Sequence, residues 1–321
     1  MKPRLLLAIA LAASQPASAN DFLNGLAKQA INSAFQKVLA GQPGTPRPAP
    51  AVAAASGAAG GAPLAPPRAR IRFDEGAIFY ADYMADYWSR PDAVTRGTTP
   101  SADAPGNIVA MPSRFGGKLN QPGVAEMRRK LEAVFPRVLA HPALANIRGA
   151  SLRPGAYFGH GRGGPMGHAL PGKASLIAYP VNLADPLTQK FPDGTFHTPG
   201  EGPSLVISVN DTDELAGRQP VGTRNGMTVL RDGYMLAISN TDRPLYVSDG
   251  SGGQVMNPDL IDTSRPRSDI QFMTVYVGRS SSETSEIVHQ RVHPTTNTGR
   301  LVGVLYNTDW RALLQEVDGI R

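Results

Sequence analysis

The sequence predicts an α+β fold, in which a mostly antiparallel β-sheet carries a few flanking helices. After Gly149 the apolar residues alternate with a period of two, which is typical of strands. The strand-like runs follow one another with tight turns and few helices between them, and this order favours antiparallel pairing. An amphipathic helix and a Pro/Ala/Gly linker are predicted to precede this domain.

The first 19 residues have the features of a secretory signal peptide. Lys2 and Arg4 precede an apolar run over 5–13, and Ala17-Ser18-Ala19 supplies a cleavage motif of small residues. The apolar run is shorter than the roughly 20 residues that a membrane-spanning helix needs. We therefore expect cleavage after Ala19 and export to the periplasm or the extracellular space.

The chain then divides into three segments. Residues 20–41 predict an amphipathic helix, whose apolar pairs recur every four residues over 21–40. That repeat winds around the helix, which disfavours a heptad coiled coil and favours docking on the main domain or on a protein partner. Residues 42–67 are rich in Pro, Ala and Gly, so they predict a disordered linker. Residues 68–321 predict the globular domain.

Individual elements follow from local patterns in the globular domain. Helices are predicted over 74–90, over 124–140 with a kink or break at Pro136, and after the capping cluster Asn307-Thr308-Asp309. The alternation in 204–209 predicts a half-buried strand, and Asp232-Gly233 predicts a hairpin turn. Further strands are predicted over 270–278 and 300–306.

Composition excludes several classes of function. The chain contains no cysteine, so it can hold neither a disulfide nor a thiolate metal site. It has 32 basic and 26 acidic residues, and loss of Lys2 and Arg4 with the signal peptide leaves 30 and 26, a net charge of +4. Because the basic residues are scattered, we expect no nucleic-acid partner. We also expect no transmembrane segment in the mature chain.

The glycine-rich stretch over 157–175 matches two nucleotide-binding patterns by letter alone. Gly159, Gly161 and Gly164 have the dinucleotide-fingerprint spacing, and Gly167, Gly172 and Lys173 resemble a phosphate loop. Both motifs need a following helix whose N-terminus binds phosphate. The residues that follow predict a strand instead, so we expect a connection between two strands and no nucleotide cofactor.

Four basic side chains nevertheless lie on this connection, namely His160, Arg162, His168 and Lys173. Together they could gather an anionic ligand, and they are the predicted ligand-binding residues. A plain solvated loop is the alternative. A binding or interaction protein of unknown ligand, tethered by its N-terminal helix and linker, is therefore the first functional hypothesis.

An exported hydrolase is the second hypothesis. The segment "FHTPGEG" places His197 and Glu201 near a turn, and a histidine–carboxylate pair can perform acid–base catalysis. His289 and His293 could share a metal on a helix, but on a strand they would lie about 13 Å apart, so no metal site is predicted. Calcium at the oxygen-rich 210–214 segment and a sugar platform of aromatic side chains within 80–88 are weaker alternatives.

Overall fold

The computed structural model describes residues 82–113, 115–230, 235–278, 287 and 291–320. The predicted signal peptide, the 20–41 helix and the 42–67 linker lie outside these residues, as do Tyr80, the Asp232-Gly233 turn and His289. The predictions for those segments therefore remain predictions.

Besides the single helical residue Ile287, five α-helices lie within the described residues. They are α1 (Asp82–Ser89), α2 (Pro100–Asp103), α3 (Val124–Leu139), α4 (Asn297–Asn307) and α5 (Trp310–Asp318). α1 stops before Pro91 as predicted, and the Asp309 side chain caps α5 by accepting a hydrogen bond from the Ala312 amide. The predicted break at Pro136 is wrong, because α3 continues to Leu139. Pro136 lies so close to the C-terminus of the helix that its missing N–H removes only one late helical bond.

The strands are short to medium in length. They are β1 (Phe115–Gly117), β2 (Ala150–Phe158), β3 (Gly172–Pro180), β4 (Gln189–Lys190), β5 (Phe196–His197), β6 (Ser204–Val209), β7 (Pro220–Arg224), β8 (Met227–Leu230), β9 (Met235–Ser239), β10 (Tyr246–Ser248), β11 (Gln254–Met256) and β12 (Phe272–Gly278). Two short 3-10 helices, Pro165–Gly167 and Thr212–Glu214, lie in the connections.

The main sheet has eight strands within the described residues, in the order β1-β2-β3-β6-β12-β9-β8-β7. All neighbours pair antiparallel except β1 and β2, which are parallel. β8 and β9 form the two arms of the predicted hairpin, with Thr228 opposite Ala237. The predicted α+β class with a mostly antiparallel sheet is confirmed.

One face of the sheet packs against the helices. Alternate residues such as Leu152 on β2, Leu176 on β3 and Ile207 on β6 join the side chains of α1, α3, α4 and α5 in one large core. The aromatic residues Tyr83, Tyr87 and Trp88 of α1 are buried in this core. They are core residues, so the described part of the aromatic segment does not form an exposed sugar platform.

The opposite face of the sheet carries many polar side chains, and loops cover it. All six residues of β6 are buried, including Ser204 and Ser208, so the prediction of a half-buried strand is wrong. A second, smaller core around Leu215, Ala237 and Phe272 lies on this side. The alternation correctly separated the two faces, but long-range loops keep both away from water.

The prediction of a strand over 300–306 is also wrong, since these residues belong to α4. Its start is fixed by Thr296, whose hydroxyl accepts a hydrogen bond from the Gly299 amide. The helix is buried on nearly every side, and an apolar run of that kind has no helical period to detect. No α-helix within the described residues is long and apolar enough to cross a membrane.

Candidate functional site

The glycine-rich connection joins the end of β2 to the start of β3, as predicted. Its backbone has a positive φ at Gly159, Gly161, Gly164, Met166 and Gly167. Four of these five are glycines, which adopt such conformations without steric cost. The segment after Gly164 forms a single 3-10 turn and then enters β3, so the helix that nucleotide motifs need is not formed there.

Asp211 and Thr212, which follow β6, hold this loop in place. The Asp211 carboxylate accepts a hydrogen bond from the Arg162 amide at 3.2 Å. The amide and the hydroxyl of Thr212 both donate to the Arg162 carbonyl, each at 2.8 Å. Gly161 packs directly on the same carboxylate. The backbone on both sides of the Arg162 side chain is therefore fixed by a second element of the sheet.

The Arg162 side chain itself points outward, and 74% of its surface is exposed. Its guanidinium lies 3.4 Å from the Asp213 carboxylate. Met166, at the other end of the loop, is fully exposed in a left-handed conformation. The loop thus combines a fixed backbone with side chains that solvent reaches freely.

Lys173 lies at the start of β3 and is already paired. Its ammonium donates to Glu214 at 2.9 Å and approaches the Tyr276 hydroxyl at 3.5 Å. Arg218 contacts the second oxygen of Glu214 at 3.6 Å. Burial alone would lower the pKa of Lys173, but the charges of Tyr276 and Glu214 prevail and raise it. Lys173 is therefore a charged, partly buried member of an ion group.

The two histidines of the loop have different surroundings. His160 packs on Tyr157, with its Nε2 3.0 Å from the tyrosine hydroxyl. Burial, followed by the positive charges of Lys118 and Lys173, lowers the pKa of His160 below its usual value. The His168 Nε2 instead lies 2.9 Å from the Arg265 carbonyl, which only a ring N–H can donate to. His168 therefore anchors the loop.

His197 lies on β5, away from the loop. Its Nδ1 is 2.7 Å from the hydroxyl of Ser151 on β2, and its ring packs edge-on against Tyr179 at 5.3 Å. Burial, helped by the charge of Arg153, lowers the pKa of His197 to about 4. The ring is therefore neutral at physiological pH.

Glu201 is exposed and has a different neighbour. Among the described residues, no hydrogen bond or ion pair joins Glu201 to His197. Burial raises the pKa of Tyr179 to about 12, against the effect of Arg153 and with a smaller contribution from Glu201. The structure thus brings Glu201 near Tyr179 and gives His197 a serine partner.

Sequence reasoning missed the residues that complete both clusters. Glu214 and Asp211 belong to the oxygen-rich segment that suggested calcium, but their carboxylates bind Lys173 and the loop amide. Within the described part of the chain, no three His, Cys, Asp or Glu side chains are grouped to hold a metal ion. Ser151 and Tyr276 carried no sequence signal, because strand register alone brings them to these positions.

Comparison of the chain with protein-family models, with curated proteins and with solved structures found no match.

Proposed function

We propose that the mature chain is an exported binding protein, which takes an anionic ligand on the glycine-rich loop of residues 159–171. The N-terminal helix of residues 21–40 would bind a protein partner, and the 42–67 linker would let the domain reach its ligand. The observation that carries the proposal is the fixed backbone beneath the exposed Arg162 side chain.

A loop that is fixed before binding loses little conformational entropy when a ligand arrives. The Arg162 amide and carbonyl are both bound to residues 211–212, so only the side chain remains to be ordered. Ion pairs with a solvent-exposed partner contribute little stability, and the contact of the exposed Arg162 with the half-buried Asp213 is of that kind. A ligand with paired oxygens can therefore displace Asp213 and form the stronger bidentate contact with the guanidinium.

Nearby cations extend the surface for such a ligand. Lys118 is exposed, and its charge acts on His160, as does that of Lys173. Because burial and these charges lower the pKa of His160, the ring gains its charge in more acidic solution than an ordinary histidine does. A bound anion favours the charged ring, so we expect affinity to rise as the pH falls from 7.5 to 5.5.

Binding to heparin tests the proposal, with neutral dextran as the uncharged control. We expect wild-type protein to bind heparin and not dextran, and binding to weaken with salt because exposed charges are screened within about 8–10 Å. Arg162→Ala should reduce heparin affinity about tenfold. Arg137→Ala is the matched control, since Arg137 is also exposed, at 62%, and is also paired with an acid, Glu316.

The His160→Ala variant should bind with a flatter pH dependence than wild type. Equal losses in Arg162→Ala and Arg137→Ala would show that heparin responds only to overall charge. That result, or binding that ignores salt, would contradict a specific site on the loop.

The second candidate function is hydrolysis, and the contact between Ser151 and His197 favours it. A serine bound to a neutral histidine is the first half of a nucleophilic site. Two features make it the weaker candidate. Ser151 is fully buried, and a histidine whose pKa is about 4 is a poor base at pH 7.

A fluorophosphonate probe tests this candidate directly. Labelling that is lost in both Ser151→Ala and His197→Ala, but kept in Glu201→Gln, would support a serine hydrolase built on this pair. Labelling lost in Glu201→Gln would restore the predicted His197–Glu201 pair. Absence of labelling in the wild-type protein would rule out Ser151 as a hydrolase nucleophile.

A further inference from the structure

Three hydroxyl side chains lie together on the loop-covered face of the sheet. They are Ser175 on β3, Ser208 on β6 and Thr274 on β12, and we call them the hydroxyl patch. Ser208 is directly opposite Thr274 on one side and Lys173 on the other. Ser175 follows Lys173 by two residues, so it projects from the same face. Directly opposed residues such as Ser208 and Thr274 have Cβ atoms about 4.5–5.5 Å apart, and diagonal neighbours such as Ser208 and Ser175 are about 7–8 Å apart.

None of the three hydroxyls has a hydrogen-bond partner among the described residues, and each is fully buried. Almost all buried polar groups in folded proteins are hydrogen-bonded, because an unpartnered one costs stability. Three such groups on adjacent strands are therefore unusual. Alanine or valine at these positions would pack without that cost. The presence of three hydroxyl side chains there therefore requires an explanation.

A charged group borders the patch. Lys173 and Tyr276 lie on the same face and share one carboxylate, with the Tyr276 hydroxyl donating to Glu214 at 3.3 Å. Two cations, Lys173 and Arg218, contact that single carboxylate, and the charge of Asp211 also acts on Lys173. An ammonium has three N–H donors, and Lys173 directs two of them at Glu214 and Tyr276.

We propose that the hydroxyl patch and Lys173 form a buried site for a small carboxylate. Its oxygens would accept hydrogen bonds from the three hydroxyls and from the remaining N–H of Lys173. The Lys173 ammonium at the border of the patch favours an acceptor that is negatively charged. The site goes beyond the proposed function, since it needs neither Arg162 nor His160 and is too enclosed for a polysaccharide.

Thermal unfolding of the full mature protein in sodium formate tests the proposal, with sodium chloride keeping the ionic strength constant at one pH. We expect formate to raise the unfolding midpoint saturably. Thr274→Val and Ser208→Ala keep the shape of the side chain nearly unchanged, and each should weaken the apparent formate affinity at least tenfold. Without formate, both variants should be as stable as wild type or more stable, because each removes an unpartnered hydroxyl.

Ser239→Ala is the matched control, since Ser239 is a hydroxyl on the neighbouring strand β9 that already donates to the Arg243 carbonyl at 2.7 Å. It should lower stability and leave the formate response unchanged. The proposal is overturned if wild-type protein shows no saturable shift, or if the shift survives in both patch variants. A shift produced by glycerol and not by formate would overturn the assigned ligand class.

Discussion

Substituting Gly161 with alanine should destabilise the protein more than the same substitution at Gly167, which lies on the same loop. Gly161 has a φ of +98°, where an L-residue is strained by about 1–3 kcal/mol. A Cβ there would also overlap the Asp211 carboxylate. Moving that carboxylate breaks its hydrogen bond with the Arg162 amide, and hydrogen bonds to charged groups contribute about 1.5–3 kcal/mol. Gly161→Ala should therefore cost about 3–5 kcal/mol.

Gly167→Ala is the matched control for this prediction. Gly167 also has a positive φ, of +66°, but a Cβ there would meet nothing within 4 Å. Only the backbone term remains, so we expect a loss of about 1–2 kcal/mol. Urea denaturation, monitored by tryptophan fluorescence, measures the free energy of unfolding of both variants, because Trp88 and Trp310 are buried in the core.

A double-mutant cycle separates the steric contribution at Gly161 from the backbone contribution. Asp211→Ala removes the atoms that the new Cβ would overlap. In that background, Gly161→Ala should cost only its backbone strain of about 1–3 kcal/mol. The reasoning is refuted if Gly161→Ala and Gly167→Ala are equally costly in the wild-type background. It is refuted as well if the loss at Gly161 does not change when Asp211 is alanine.

Two further predictions concern buried charges. Burial, followed by Glu214, raises the pKa of Asp211 to about 6 from 3.8, so the folded state binds more protons and stability falls as the pH rises from about 4 to 6. Asp211→Asn should therefore add about 3 kcal/mol to the free energy of unfolding at pH 7.5, at about 1.4 kcal/mol per pKa unit, and little at pH 3.5; an equal change at both values would contradict this. Lys130 is buried beside Asp318 at 2.9 Å and Glu126 at 3.2 Å, so Lys130→Met should cost about 3 kcal/mol by removing the buried cation that contacts both carboxylates, although Asp318 keeps Arg265 and Glu126 keeps Ser268. A loss below about 1 kcal/mol in urea denaturation would show that the remaining partners, such as Arg265 at Asp318, suffice and would contradict the prediction.

The sequence predicted the sheet well, because its strands keep a period of two and their turns carry recognisable residues. The prediction of a strand over 300–306 was wrong because these residues form α4, where Gly303 packs on Trp88 and both sides of the helix are buried. That environment depends on α1, which lies more than 200 positions away in the chain. The buried state of Ser208 was missed for the same reason, since loops distant in sequence cover it.

The loop could be located from its glycines, but the side-chain contacts at the two candidate sites could not be predicted. Lys173 and Glu214 are separated by 41 positions, and Ser151 and His197 by 46. No local pattern reports such pairs, because strand order and register create them. The sequence therefore suggested four basic side chains available to a ligand. In the structure, Lys173 contacts Glu214 and His168 contacts the Arg265 carbonyl, whereas Arg162 is exposed.

The most direct test of the anion-binding loop is the backbone NMR spectrum of the mature protein, titrated with a heparin oligosaccharide at pH 6. The account predicts that the largest chemical-shift changes fall within residues 159–171 and at Lys118, saturate with the ligand and disappear in Arg162→Ala. The largest changes at a distant surface, such as the one around Arg137, would contradict it. An unchanged spectrum would contradict it equally.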